Sequence, residues 1–184
     1  LLAFIAAGLA AGVGVVVVYA VRLRPSRTRR IAVRGAALGY AVPGSVAAAA
    51  VFLVADQIDD PLGVVLTGTL GALVVAYVVR FTALAVGTVE AGLAATPASI
   101  DMAARSLGAG PSRLLADVHL PLLSRAISTS LLLVFVEVVK ELPATALLRP
   151  LGLDTLSVAI WEATKESLYE TAAFPALCMV GVGL

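Results

Sequence analysis

The chain has 184 residues, of which 60% are hydrophobic and only 14% charged, for a net charge of +1, and its mean hydropathy is +1.03. Soluble domains run nearer 45–50% apolar and about 25% charged, so a soluble fold, a disordered chain and a collagen-like repeat are excluded. A lone cysteine, Cys178, excludes a small disulfide scaffold. The composition is that of an integral membrane protein. The sequence begins and ends inside hydrophobic runs, and so reads as part of a longer protein.

A membrane-crossing helix needs roughly 20 mainly apolar residues, and five segments qualify in turn: 1–21, 31–55, 62–79, 122–142 and 172–184, the last cut short. The runs are continuous in Ala, Val and Leu without period-two alternation, which excludes barrel strands. The expected fold is therefore an all-α, polytopic transmembrane helical bundle forming one domain over 1–184. The first run lacks a basic leader and is followed by arginines, which suits a span and not a signal peptide.

Lys and Arg set the orientation. Arg22, Arg24, Arg27, Arg29, Arg30 and Arg34 follow the first span, and Arg80, Arg105, Arg113 and Arg125 fall in the segment after the third. Alternation puts these ten of the 13 basic residues on one face, leaving Lys140, Arg149 and Lys165 on the other. The second face carries Asp56, Asp59, Asp60, Glu137, Glu141, Asp154, Glu162, Glu166 and Glu170. The basic face is expected to be cytoplasmic and the acidic face external. The arginine loop is read as a topology signal against membrane lipid, with no nucleic-acid partner. Gly8 with Gly12, and Gly35 with Gly39, form small-xxx-small pairs that allow close helix approach in lipid. Pro43, in Gly39-Tyr40-Ala41-Val42-Pro43-Gly44, should break the second span. Freed backbone groups at membrane depth must face protein or water, so Pro43 is either a kink or part of a translocation path.

Residues between Arg80 and Arg125 read as too polar to span. Thr96-Pro97 marks a helix start with Thr96 as cap, and Asp101 complements the first turn of that helix. Gly108 and Gly110 stop it, and Pro111-Ser112 opens a second short helix ending before Leu120-Pro121. The result is a cytoplasmic helical knob over 97–121, which either docks into a soluble partner or lies on the lipid.

The run Asp101-Met102-Ala103-Ala104-Arg105-Ser106-Leu107-Gly108, followed after nine residues by Val118-His119-Leu120-Pro121, resembles the coupling-loop signature of ABC importer permeases. That signature reads Glu-Ala-Ala, three residues, Gly, nine residues, Ile-x-Leu-Pro. Ala103, Ala104, Gly108, Leu120 and Pro121 match in place, with Val118 for Ile. Met102 stands where the family usually has Glu, and Asp101 is the adjacent acid. The runs Gly39–Gly44, Ala76-Tyr77-Val78-Val79-Arg80-Phe81, Lys140-Glu141-Leu142-Pro143-Ala144-Thr145, and Leu147-Leu148-Arg149-Pro150 with Asp154-Thr155-Leu156 are similar to the ferric-iron branch. The resemblance covers essentially the whole chain and implies the C-terminal half of a bacterial inner-membrane permease. It further implies an ABC ATPase dimer at the cytoplasmic knob, a periplasmic binding protein at the external face, and a second permease half, fused or separate. Independently, no G-x-x-x-x-G-K-[ST] run is present, so ATP and Mg are expected on the partner ATPase and no cofactor on this chain. One His and one Cys offer no zinc-protease ligand set, and there is no Gly-x-Ser-x-Gly elbow. No catalytic residue is expected.

Within the fourth span, Glu137, Lys140 and Glu141 share a helical stripe at i, i+3 and i+4. Counted from Arg125, Glu137 lies about 18 Å along the helix, in the outer half of a hydrocarbon layer about 30 Å thick. Charges there normally face a bundle interior or an aqueous cavity. The stripe either lines the exit of the path, where Glu137 and Glu141 would be transient oxygen ligands to a hard cation, or its members pair with each other, or they end the helix at the external interface. Beyond it, 154–166 reads as an external amphipathic helix capped by Asp154, with Trp161 and Tyr169 at the headgroups. It either meets the binding protein or lies on lipid. His119 reads as a surface residue and Cys178 as a small buried hydrophobe. The function expected is alternating-access import, of ferric iron by resemblance. Polyamine, sulfate, thiamine or phosphonate import by the same machine, and an ion-coupled secondary transporter, are the alternatives.

Overall fold

The computed structural model describes residues 1–23, 26–63 and 65–184, with backbone only at 28–30, 32, 37 and 60–62. Arg24 and the side chains of Arg29, Arg30 and Asp60 lie outside the described residues. Every regular element among the described residues is a helix. The first, α1 (Leu2–Leu23), is a straight apolar span ending in Arg22.

The second expected span is broken. Helix α2 (Arg27–Leu38) passes into a 3₁₀ turn at Gly39–Ala41, and α3 (Gly44–Leu62) resumes beyond Pro43. The two halves meet at 112°. Pro43 supplies no N–H and disfavours helical backbone at the residue before it, and Val42 is accordingly extended (φ −75°, ψ 129°).

The third span differs from the sequence reading. It is α4 (Leu70–Ala94), not 62–79. Turn chemistry moves its start. Gly63 and Gly68 both have positive φ, and the Asp59 carboxylate accepts bonds from Leu66 N, Thr67 N and Thr67 Oγ1. Thr69 then N-caps α4 by accepting from Ala72 N at 3.3 Å. With 25 residues, α4 is about 37 Å long. Arg80, assigned from sequence to the cytoplasmic segment, therefore sits within the span.

Next come α5 (Ala98–Ser106) and α6 (Pro111–Lys140), a continuous helix of 30 residues. The expected stop before Leu120-Pro121 is absent. A six-residue π-helical stretch, Leu114–His119, directly precedes Pro121, and Leu120 N–H reaches back to Leu115 O. This wider turn accommodates a proline that cannot donate to the ladder. After α6 come α7 (Pro143–Leu148), α8 (Leu156–Lys165) and α9 (Tyr169–Gly183). Thr155, not Asp154, caps α8. Among the described residues α1, α4 and α6 are long and apolar enough to cross a membrane, or four spans if α2 and α3 count as one. The fifth expected span corresponds to α9, whose 15 residues cover about 22 Å. Cys178 is half-buried and not buried.

Helices α1, α4 and α6 pack on one another. Ala6, Ala10, Ala76, Tyr77, Phe81 and Val134 fill one end of the core, and Val18, Val86, Val89 and Leu123 the other. Of the expected glycine pairs only Gly39 makes a close approach, where a Cβ would lie 2.6 Å from Val79 O on α4, while Gly8, Gly12 and Gly35 face open space. Gly92 is a tight position between α4 and α6, where a Cβ would lie 2.6 Å from Ala126 Cβ and 3.1 Å from Leu123 Cδ2. Gly92→Ala should force α4 and α6 apart at a cost of about 1–3 kcal/mol, whereas Gly8→Ala should stay within about 0.5 kcal/mol of wild type. Thermal midpoints of the two variants in detergent check this, with a lowered value expected for Gly92→Ala alone.

Candidate functional site

Two charged centres are built into the bundle. The first joins α1, α5 and α6. Arg22 Nε donates to Asp101 Oδ2 at 2.9 Å and Arg22 Nη2 to Asp101 Oδ1 at 3.2 Å and to Thr96 O at 3.0 Å. His119 Nε2 lies 2.9 Å from Asp101 Oδ1. An ionised carboxylate can only accept, so Nε2 carries the hydrogen. Tyr19 packs edge-on against His119 and donates from its hydroxyl to Pro111 O at 2.6 Å. Two sequence readings are corrected here. His119 is fully buried, not a surface residue. Thr96 makes no cap bond to α5, whose N-cap is Pro97; its carbonyl receives Arg22 instead. Asp101 lies in the first turn of α5, as its helix-dipole reading requires, and in addition receives Arg22 and His119. The Arg22 guanidinium holds the Asp101 carboxyl below its ordinary range; partial burial pushes it up, and the bond from His119 lowers it further.

This centre fixes the base of the knob and leaves its tip free. Met102, Ala103, Leu107, Gly108, Leu120 and Pro121 are exposed, while Ala104 and Val118 are half-buried. Gly108 takes φ +83°, a left-handed conformation that favours glycine and turns the chain from α5 into α6.

The second centre lies in the membrane. Arg80 is ten residues into α4, about 15 Å from its outer end and near mid-span. Its Nη1 donates to Glu141 Oε1 at 2.9 Å, with the two side chains 18% and 6% exposed. Glu141 Oε1 also accepts from Ala144 N at 3.1 Å, and the Glu141 carbonyl accepts from Thr145 Oγ1 and Ser157 Oγ. Tyr77 and Thr145 share a hydroxyl bond of 2.6 Å. The helix break passes directly over this pair, since a Cβ on Gly44 would collide with both Arg80 Nη1 and Glu141 Oε1. Pro43 immediately precedes Gly44, so the break it makes lies next to the ion pair.

The expected stripe of Glu137, Lys140 and Glu141 is divided. Lys140 Nζ pairs with Glu137 Oε1 at 2.7 Å, and Tyr40 Oη reaches Glu137 Oε2 at 3.5 Å. Glu141 stands past the helix end as the C-cap of α6 and turns to Arg80. Its partner Arg80 lies near the middle of α4. Farther out, Arg149 pairs with both Asp154 and Glu162, which explains why Asp154 is not the cap of α8. Among the described residues no three His, Cys, Asp or Glu side chains are grouped to hold a metal ion. Sequence reasoning missed Arg80, Arg22 and His119 as site residues. For Arg80 the signal was present, since over 70–94 the only other charge is Glu90.

Residues 4–184 match the model of the family described as binding-protein-dependent transport system inner membrane component. The chain belongs to this family. It is 33% identical over 142 residues to the Fe(3+)-transport system permease protein FbpB 2 of Haemophilus influenzae, covering 77% of this chain and 27% of that protein. It is 34% identical over 119 residues to the putative 2-aminoethylphosphonate transport system permease protein PhnV of Salmonella typhimurium, covering 65% of this chain and 45% of that one. The chain therefore spans about a quarter to just under half of these relatives. Family membership and the apolar helices make it an inner-membrane protein.

The Asp101 shift carries a pH signature. Folding lowers this pKa, so the ion-pair contribution is complete above the unfolded value of about 4 and is lost as pH falls through the lower folded value. The thermal midpoint of the wild type should drop between pH 7 and pH 3 by more than that of Asp101→Asn, measured in the same detergent.

Proposed function

We propose that this chain is the translocating part of an ATP-driven importer, working by alternating access with a second permease half. An ATPase dimer carrying ATP and Mg would dock on 97–121, and a binding protein would deliver solute at the external face. The observation that carries this reading is the coupling signature placed on an exposed helix–turn whose base is clamped by Arg22, Asp101 and His119, in a chain of this family. Asp101, Ala103, Ala104, Gly108, Val118, Leu120 and Pro121 then form the coupling segment. Met102 and Leu107, 63% and 87% exposed, are apolar contacts ready for a soluble partner. Displacement of the clamped knob would move α1 and α6 together, with no covalent chemistry on this chain. Pro43, Arg80, Glu137, Lys140 and Glu141 would line the path.

For the substrate, ferric iron is supported by the sequence runs similar to that branch and by the Haemophilus relative, which aligns over the larger share of the chain. A second reading, an organophosphonate, is favoured by a specific observation: Glu141 is paired with Arg80 and Glu137 with Lys140, so the charge of each carboxylate is already matched by a cation of this chain. An ion-gradient transporter shares the broken helix but gives no role to the exposed knob.

Two measurements on the full-length permease with its partner subunits test this. Uptake of radiolabelled ferric iron, competed by 2-aminoethylphosphonate, polyamine, sulfate or thiamine, should be abolished by orthovanadate; vanadate-resistant, gradient-driven uptake would sink the importer reading. Leu107→Asp should cut ATP-dependent uptake at least tenfold while changing stability by no more than about 0.5 kcal/mol, as expected for a surface position.

A further inference from the structure

Arg80 has more binding capacity than its one partner uses. A guanidinium offers five N–H donors. Nη1 bonds Glu141 Oε1, whereas Nε is buried with no hydrogen-bond partner. The cation is held from below by the Phe81 ring, 5.3 Å from Cζ to centroid. From above, α3 begins at Gly44 over the same spot, with Pro43 as N-cap and no side-chain cap bond. A 19-residue helix presents partial positive charge and free N–H groups at such an end, and broken helices in transporters aim these ends at anionic substrate groups. Gly44 has no side chain to shield the approach.

The carboxylates here are already paired. Glu141 Oε1 takes bonds from Arg80 and Ala144 N, and its carbonyl takes two hydroxyls. Glu137 Oε1 is held by Lys140. The buried atom of this centre left without a partner is a donor, Arg80 Nε, which suits an oxyanion better than a bare metal cation. Glu141 occupies the place where an oxyanion would sit.

Resting on the transport reading above, we propose that Arg80 is the substrate-anion contact of the path and that Glu141 is its resting counter-anion, displaced when a solute oxyanion arrives. Displacement leaves Glu141 unpaired inside the membrane, which is costly, unless the solute brings a positive centre of its own. The site therefore takes an oxyanion bearing a positive centre, either the ammonium of an aminophosphonate or the ferric ion of a carboxylate chelate, in preference to a simple anion.

The test is ligand-induced thermal stabilisation of the full-length permease with its ATPase in lipid nanodiscs, using 2-aminoethylphosphonate, ferric citrate, methylphosphonate and sulfate as probes. Wild type should be stabilised by 2-aminoethylphosphonate, ferric citrate or both, at concentrations at least tenfold below those needed for methylphosphonate or sulfate. The responding probe identifies the source of the oxyanion. Arg80→Gln should lose this response and Arg80→Lys should keep part of it. Glu141→Gln removes the internal competitor and should bind methylphosphonate at least tenfold tighter than wild type. A merely structural ion pair would make both neutralising variants less stable without moving ligand affinity in opposite directions. No response in wild type, an unchanged response in folded Arg80→Gln, or no gain in Glu141→Gln would each overturn the proposal. Vanadate-sensitive ATPase activity in the same discs reports on the importer reading independently.

Discussion

An arginine placed halfway along a membrane-crossing helix cannot stand alone, and most of the irregular backbone in this protein follows from that constraint. Arg80 needs a counter-charge at its own depth, and Glu141 supplies it. Side chains within a regular α6 would point along its length, so α6 ends at Lys140 and the extended Glu141 reaches across to α4. The chain then re-enters through Pro143, and its first turn donates Ala144 N to the same carboxylate. On the other side, the second span opens at Gly39–Gly44, and Gly44 is bare because any Cβ would occupy the space of the ion pair. Non-helical backbone at membrane depth survives only where protein or water satisfies it, and the hydroxyls of Thr145 and Ser157 complete that requirement.

The centre around Asp101 solves a different problem. A helix of nine residues such as α5 is marginal by itself, so its orientation must come from tertiary bonds. Asp101 provides them by receiving Arg22 from α1 and His119 from α6. The same arginine that reads as a topology signal is thus also the anchor of the knob. His119, between Val118 and Leu120, is fully buried and so belongs to the base of the knob, whereas Leu120 and Pro121 beside it are exposed.

Helix existence, the break at Pro43, the glycine corner and the exposed knob were legible because each rests on local rules: apolar run length, missing N–H groups and left-handed backbone. The start of α4 was not, since it depends on Asp59 reaching forward to cap the loop at Leu66 and Thr67. That misplacement pushed Arg80 out of the membrane on paper and hid its partner. Passage of α6 through Pro121 was equally invisible, because the π turn that accommodates the proline is a backbone adjustment with no sequence marker. The Gly8–Gly12 contact failed for a related reason: the two share a face, but the side of α1 that meets α4 is the one carrying Gly14, which packs on Ala85. The fate of Glu137, Lys140 and Glu141 turned on a helix end that periodicity extends one residue too far.

With no stop at Leu120-Pro121, one rod joins the two charged centres. Its 30 residues measure about 45 Å, with His119 near one end and Lys140 at the other. Rocking such a rod by about 5° around its midpoint swings each tip by about 2 Å in opposite directions, given that length. A shift of that size exceeds the tolerance of a 2.9 Å hydrogen bond. Small-angle leverage along α6 is therefore enough to make or break the Arg80–Glu141 contact from the far side of the membrane.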